Sequence, residues 1–267
     1  IRSLVDEEAR VGHKSKTEDF YGYKVEFAMV PEESIITAVT VGNGAYVDGT
    51  EFKELYETTK ECGIEIKEAY GDKAYFRKSI LDILKEDEVV AYIPVSEAVY
   101  RLDESKYSYN KDSDQWFCEE GNYTVKKKTK ESKKGKFTLL YTFDKAGCQT
   151  CAKRAECIKS KTKAKSIEIS INTPELYEHS QWAKTEEFKD KYKLRARHEW
   201  KNGEMKRFHG MARARGYGLR SMKIQAQLTA LAVNLKRIAK LVSSLNDILC
   251  NFIASFNVYL MVNACDG

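Results

Sequence analysis

Two β-rich runs, FYGYKVEFAMV over 20–30 and SIITAVTVG over 34–42, flank a short turn at Pro31 to Glu33 and predict a hairpin. The next stretch, DGTEFKELYETTKECG, opens on Asp48, a residue type suited to cap a helix, and stops at Gly63, which predicts a helix. IEIKEAYGD over 64–72 predicts a strand that delivers Asp72 at its C-terminal end. YFRKSILDILKED over 75–87 predicts a helix, and EVVAYIP a further strand. Hairpin, helix, strand, helix, strand is the order of an α/β domain with a mixed sheet.

The pattern changes from about Glu97 to Thr173, where Tyr, Lys and Ser rise, helical periodicity fades and four of the seven cysteines appear. This stretch reads as a small inserted domain or an elaborated loop, polar and lacking core residues. Helical patterning then resumes as one or two helices over 175–210. In 221–242, Ile224, Leu228, Leu231, Leu235 and Ile238 recur at steps of four and three, predicting an amphipathic helix docked on a core through that stripe. The tail ILCNFIASFNVYLMV is slightly short for a membrane span and is interrupted by Asn251 and Asn257, so it reads as a buried or partner-facing helix, with no membrane. The expected segmentation is 1–96, 97–174, 175–242 and an apolar tail over 243–267. No internal repeat is present.

Composition narrows the class. A chain of 267 residues fits one α/β domain with an insertion or two small domains, and 42% hydrophobic residues with three prolines describe a folded protein. The net charge of +5 comes from 45 basic and 40 acidic residues placed unevenly. Between Lys184 and Lys240 there are 16 basic and 5 acidic residues, a block that suits a nucleic-acid or phosphate partner, as it also suits a plain solvated face. No secretory signal opens the chain and the cysteines are clustered, which fits a reducing cytoplasm. Neither a phosphate-binding glycine loop nor a serine-nucleophile motif occurs. His198 and His209 lie in the basic region and could meet phosphate.

Within that basic region, Tyr192, Arg195, Glu199 and Lys206 are separated by three, four and seven residues. If 192–206 is one helix, all four project from one face, together with Asn202. A lone carboxylate among cations can be a salt-bridged surface, or it can hold a divalent cation while Arg195 and Lys206 grip phosphates and Tyr192 and Asn202 contact the backbone of DNA.

The tetrad Tyr192, Arg195, Glu199, Lys206 resembles the YREK signature of the DDE transposases of bacterial insertion sequences. Asp72 in AYGDKAY resembles their second catalytic Asp, FYGYKVEFAM a strand of their RNase H-like domain, and GMARARGYGLRSMKIQAQLTALAVNLKRI their C-terminal helical segment. The resemblance covers roughly 3–242. It implies an RNase H-like mixed sheet flanked by helices, with a Cys-rich insertion before the C-terminal helices. It also implies hydrolysis at transposon ends and strand transfer into target DNA with two Mg²⁺ ions, by an enzyme that usually works as a dimer. Glu199 would be the third catalytic carboxylate. The first is Asp6, in SLVDEEAR, or an Asp upstream of Ile1, in which case the chain is a truncated or decayed piece. VDGT over 47–50 resembles the motif around a first catalytic Asp, but Asp48 is better read as a helix cap.

Cys118, Cys148, Cys151 and Cys157 offer a tetrahedral Cys₄ set for a structural Zn²⁺ that could order a segment too small to order itself, with unligated thiols as the other reading. Cys62, Cys250 and Cys265 have no such grouping and suit ordinary packing. The run KKKTKESKKGK over 126–136 is either a DNA backbone contact or a solvated loop. Two other functions remain open: a zinc-containing DNA-binding module without catalysis, and a simple nuclease that does not join strands.

Overall fold

The computed structural model describes residues 4–13, 17–131, 135, 137–159 and 161–264, with side chains described through residue 246 and at Ile248. The chain divides into two compact units, one formed by 1–67 with 193–267 and the other by 68–192.

The first unit is built on an antiparallel sheet in the order β1 (Arg10–His13), β2 (Asp19–Val30), β3 (Ile35–Asn43). The predicted hairpin is present, with Phe27 opposite Val39 and a bulge between Ala28 and Met29. Strict alternation in β3 sends Ile36, Ala38 and Thr40 inward. Helix α1 (Phe52–Glu61) buries Leu55, Tyr56 and Thr59, and Gly63 follows it with φ of 77°, a left-handed geometry that only glycine adopts without strain. Asp48 does not cap this helix. Its carboxylate pairs with Lys24 at 2.9 Å, while Glu51 takes the cap position without a side-chain bond.

Helices α7 (Ala196–Phe208) and α8 (Gly218–Ala264) complete the unit. Phe27 and Ile36 of the sheet, Met205 of α7, and Ala230 and Val233 of α8 form a buried cluster. This overturns the expected orientation of α8: Ile224, Leu228, Leu231, Leu235 and Ile238 are each about half exposed or more, whereas Met222, Ala226, Ala230 and Val233 are buried. The physical reason is Asn234. Its side-chain amide donates to the carbonyl of Ile36 at 2.7 Å, and its side-chain oxygen accepts from the Ile36 N–H at 2.8 Å, closing the open edge of β3. Small residues on the same side let the helix approach that closely. The tail continues α8 as helix to Ala264, and among the described residues no helix is long and apolar enough to cross a membrane. Cys265 and the side chain of Cys250 lie outside the described residues.

The second unit opens with the parallel pair β4 (Glu68–Tyr70) and β5 (Val90–Tyr92), linked by a 3-10 turn and α2 (Lys78–Glu86). The predicted strand, helix and strand are present with shorter bounds. The segment expected to lack a core has one. Hairpin β6 (Tyr107–Asn110) with β7 (Gln115–Cys118), and a sheet of β8 (Thr124–Glu131), β9 (Phe137–Phe143) and β10 (Ser166–Ser170), enclose Trp116, Leu139, Tyr141, Phe143, Cys148 and Ile167. The signal was in the FTLLYTF run, which buries every second residue, but the flanking lysines masked it. Short helices α3 (Lys145–Thr150) and α4 (Arg154–Cys157) precede β10, and α5 (Thr173–Trp182) and α6 (Glu186–Tyr192) close the unit. The ten strands fall in four separate sheets among the described residues, so the strands expected to share one RNase H-like mixed sheet are distributed between an antiparallel triplet and a parallel pair.

Which face of α8 is buried can be read from stability. Val233→Ala, at a fully buried site, should lower unfolding free energy by roughly 1–3 kcal/mol, whereas Leu231→Ala should change it by about 0.5 kcal/mol or less. Chemical denaturation compares them, and equal losses would contradict the observed orientation.

Candidate functional site

The run from Tyr192 to Lys206 is not one helix. Tyr192 ends α6, Lys193–Arg195 form a 3-10 turn, and α7 begins at Ala196. Tyr192 therefore does not continue the register of the other residues, because the tighter 3-10 winding shifts it. Arg195, Glu199, Asn202 and Lys206 do follow the α7 repeat. Arg195 and Glu199 form an ion pair one turn apart, with Glu199 more than half exposed. Asn202 is half-buried and Lys206 exposed.

The opposite side of α7 explains why this face points outward. His198 stacks on Phe27 with ring centroids 4.0 Å apart, and its Nε2 lies 3.1 Å from the Phe27 carbonyl, so this histidine packs against the sheet and does not meet phosphate from the outer face. Lys201 is buried and donates to Glu204 at 3.0 Å, while Lys236 of α8 donates to the other Glu204 oxygen at 2.8 Å. Burial acts to raise the Glu204 carboxyl, but the two lysines outweigh it and hold it below the ordinary range. Arg197 donates to the carbonyls of Pro31 and Glu32. Reading the sequence as one basic block missed this division: Arg197, His198 and Lys201 build the unit, and Arg195, Glu199 and Lys206 are left on its surface. Trp200, next to Glu199, and Phe208 are both largely exposed and were also missed, since an isolated aromatic in a polar helix carries no periodic signal.

Asp72 and Tyr192 belong to the second unit. Asp72 stands two residues beyond β4, where its carboxylate accepts from the Ala74 N–H at 2.8 Å and caps the 3-10 turn Lys73–Tyr75. An aromatic ladder holds this strand end. Tyr70 stacks on Tyr92 at 5.0 Å, Tyr92 meets Phe188 at 5.6 Å, and Phe188 stacks on Tyr192 at 5.8 Å. Each such contact contributes about 0.5–1.5 kcal/mol beyond its burial. Lys191 reinforces the link by donating to Glu68 at 2.7 Å, and this bond, with one from Tyr70, holds the Glu68 carboxyl below its ordinary range against partial burial. The strand carrying Asp72 and the helix carrying Tyr192 are thereby one rigid piece of the unit.

Asp6 sits ahead of β1 with both carboxylate oxygens engaged by the Tyr23 hydroxyl, at 2.6 and 2.7 Å, and with the N–H groups of Glu8 and Ala9 donating to Oδ1. The Tyr23 oxygen in turn accepts from the Gly218 N–H at 3.0 Å. Asp6 thus staples the N-terminal segment to β2 and to the start of α8. The Tyr23 hydroxyl, ahead of the backbone donors, pulls the Asp6 carboxyl below its ordinary range, and burial followed by the Asp6 bond pushes Tyr23 up to about 12.

Carboxylates are the donors a hard divalent cation takes, and Cys₄ is a zinc donor set, so the residue types fit both expected metals. Cys118, Cys148, Cys151 and Cys157 are free thiols that line one pocket, beside Lys106, Lys153 and Lys165. Yet among the described residues no group of three or more His, Cys, Asp or Glu side chains is arranged to hold a metal ion. Lining a shared pocket does not by itself bring four sulfurs to the ~2.3 Å that zinc requires. Because the segment also has its own buried core, zinc is not required to order it.

Residues 117–239 match the family model described as a transposase DDE domain, which supports a DDE transposase. The matched span contains the four clustered cysteines and Tyr192, Arg195, Glu199, Asn202 and Lys206, and it leaves Asp6 and Asp72 outside. No curated protein and no solved structure matches the chain.

The Asp6 staple makes a pH-dependent prediction. A lowered folded-state value means its contribution is full above the unfolded Asp value of about 3.9 and is lost as pH falls through the folded value. Tyr23, with a raised value, contributes fully below about pH 10 and loses that contribution as pH rises through about 12. Asp6→Asn should cost on the order of 1 kcal/mol at pH 7, a gap that closes below pH ~4. Melting curves of both proteins across pH test this, and a gap that persists in acid would show that the charge on Asp6 is not what holds the staple.

Proposed function

We propose that the chain carries the catalytic part of a DNA transposase, which hydrolyses phosphodiester bonds at insertion-sequence ends and joins them to target DNA. The observation that carries this reading is the match of 117–239 to a transposase DDE domain, with Arg195, Glu199 and Lys206 on the outer face of α7 inside it. Asp72 and Glu199 would each offer a carboxylate to Mg²⁺, two ions being the expected number. When bound, such ions would supply Lewis-acid chemistry suited to activating a water or a 3′-hydroxyl and to stabilising a leaving oxygen. Arg195 and Lys206 bind phosphates on either side, with Asn202 and Tyr192 fixing the DNA backbone.

The Arg195–Glu199 pair suits this role because its carboxylate is more than half exposed and can take a second ligand. A surface pair one helical turn apart contributes about 0.3–0.5 kcal/mol, less than a divalent cation offers the carboxylate. DNA would draw the guanidinium away and leave the carboxylate for metal. Asp6 is the less suited of the three carboxylates, since taking a metal would break the staple to Tyr23. We also propose a homodimer acting in the cytoplasm, and a structural Zn²⁺ at the Cys118, Cys148, Cys151 and Cys157 pocket. Zinc there would require the four sulfurs to converge beyond sharing a pocket.

Nicking and joining of supercoiled DNA in Mg²⁺ is the test. Asp72→Asn and Glu199→Gln should each lower cleavage by roughly 10²–10³-fold while leaving DNA binding in EDTA unchanged. Asp6→Asn falling equally far would return Asp6 to the ligand set. Binding without any metal-dependent cleavage would favour the non-catalytic DNA-binding module, and cleavage without joining a simple nuclease. Metal analysis of the purified chain should find zinc, lost in a Cys148→Ser/Cys151→Ser variant; a zinc-free, fully folded chain would leave the thiols as packing groups.

A further inference from the structure

β8 is one of the two outer strands of the three-stranded sheet in the second unit, and every residue from Val125 to Glu131 is exposed. Strand alternation sorts its lysines. Lys127 turns toward the core side, where it pairs with Asp114 at 2.6 Å and lies over the Tyr141 ring. Lys126, Lys128 and Lys130 project from the opposite face, about 7 Å apart in succession.

The register places these lysines in three rows across the sheet. Lys126 aligns with Thr142 and Ser166, Lys128 with Leu140 and Glu168, and Lys130 with Thr138 and Ser170. The solvent face thus has a lysine edge and hydroxyl groups behind it. Glu168 is the one carboxylate in these rows, and it is spent on Lys130 at 3.1 Å and Thr138 at 2.9 Å. Lys126 and Lys128 have no ion-pair partner among the described residues. Exposed Lys159, Lys161 and Lys163 lie on the approach to β10 and add charge of the same sign.

A charged edge strand is a common guard against edge-to-edge pairing, but that purpose does not call for the hydroxyls that stand behind these lysines. A row of cations backed by Ser and Thr hydroxyls is the donor set that proteins aim at phosphate and sugar oxygens of nucleic acid. We propose that the solvent face of the β8–β9–β10 sheet is a second DNA-binding surface that grips duplex phosphates through Lys126, Lys128 and Lys130. The surface carries no base-reading arrangement, so it adds affinity without sequence preference. The proposal rests on the transposase reading only for DNA as the polyanion, and the whole sheet lies inside the matched span.

The test is binding of the full chain to a labelled DNA duplex over a range of salt in EDTA, so that no cleavage step enters. A Lys126→Gln/Lys128→Gln/Lys130→Gln variant should lower the salt slope of log K by about 2–3 and weaken binding at least about tenfold, because each lost phosphate contact removes ~0.9 from the slope. Neutralising exposed Lys53, Lys67 and Lys85 should leave the slope nearly unchanged. An unchanged slope in the β8 variant, or an equal drop in the control, would overturn the proposal. Acetylation footprinting of the unaltered chain does not depend on variant folding: DNA should protect Lys126 and Lys128 more than Lys53 and Lys85, and equal reactivity would overturn the surface. If the β8 substitutions weakened binding to phosphatidylserine vesicles but not to DNA, the face would belong to a lipid surface. Glu199→Gln should keep full duplex binding here even if it abolishes cleavage, so the two readings fail separately.

Discussion

The two hydrogen bonds between Asn234 and Ile36 govern the first unit. β3 is an edge strand, and an edge that faces a helix must have its N–H and C=O groups satisfied or lose about 1–3 kcal/mol for each one buried unpaired. Asn234 supplies one donor and one acceptor, the complement that a neighbouring strand would offer. Once it faces β3, the rotation of α8 is decided, and Ala226, Ala230 and Val233 must go inward with it. The larger aliphatic stripe is left outside, although a purely hydrophobic criterion would bury it.

α7 depends on the same packing. Met205 enters the cluster with Phe27, Ile36, Ala230 and Val233, while Lys236 of α8 reaches Glu204. The helix has little apolar periodicity, and its inner side is made of His198, Lys201, Glu204 and Met205. Each buried polar group on that side is paired apart from the His209 Nε2 atom, which has no hydrogen bond and stands 3.9 Å from Glu204. With those residues committed inward, Arg195, Glu199 and Lys206 are held outward by helical geometry. The candidate site is thus the remainder of a packing solution, with the Glu199 carboxylate reaching solvent beside the more buried Arg195.

In the second unit the constraint is aromatic. The ladder from Tyr70 through Tyr92 and Phe188 to Tyr192 couples the end of β4 to the end of α6, and Trp182 and His179 pack edge-on against Phe188. The Trp116 core does the same for the β6–β10 region. A carboxylate with few degrees of freedom, such as Asp72 capping its own turn, and a sheet whose lysines sort by alternation both follow from these rigid supports.

The order of residues alone specifies the hairpin, α1, the β4–α2–β5 order and the placement of Asp72 just past β4, because period-two and period-3.6 patterns bounded by turn residues are local signals. It also determined the i,i+4 relation of Arg195 and Glu199. Packing in three dimensions set the rest: Asp48 pairs with Lys24 instead of capping a helix, Asp6 is stapled by Tyr23, 192–206 breaks at a 3-10 turn, and the lysine-rich stretch encloses a core. The placements of Asp48 and Asp6 depend on partners distant in the chain, from Lys24 to Gly218. The orientation of α8 is the clearest case: the spacing of its leucines specified a stripe, but a single amide bonding to an open strand edge 198 residues away decided which way the helix turned.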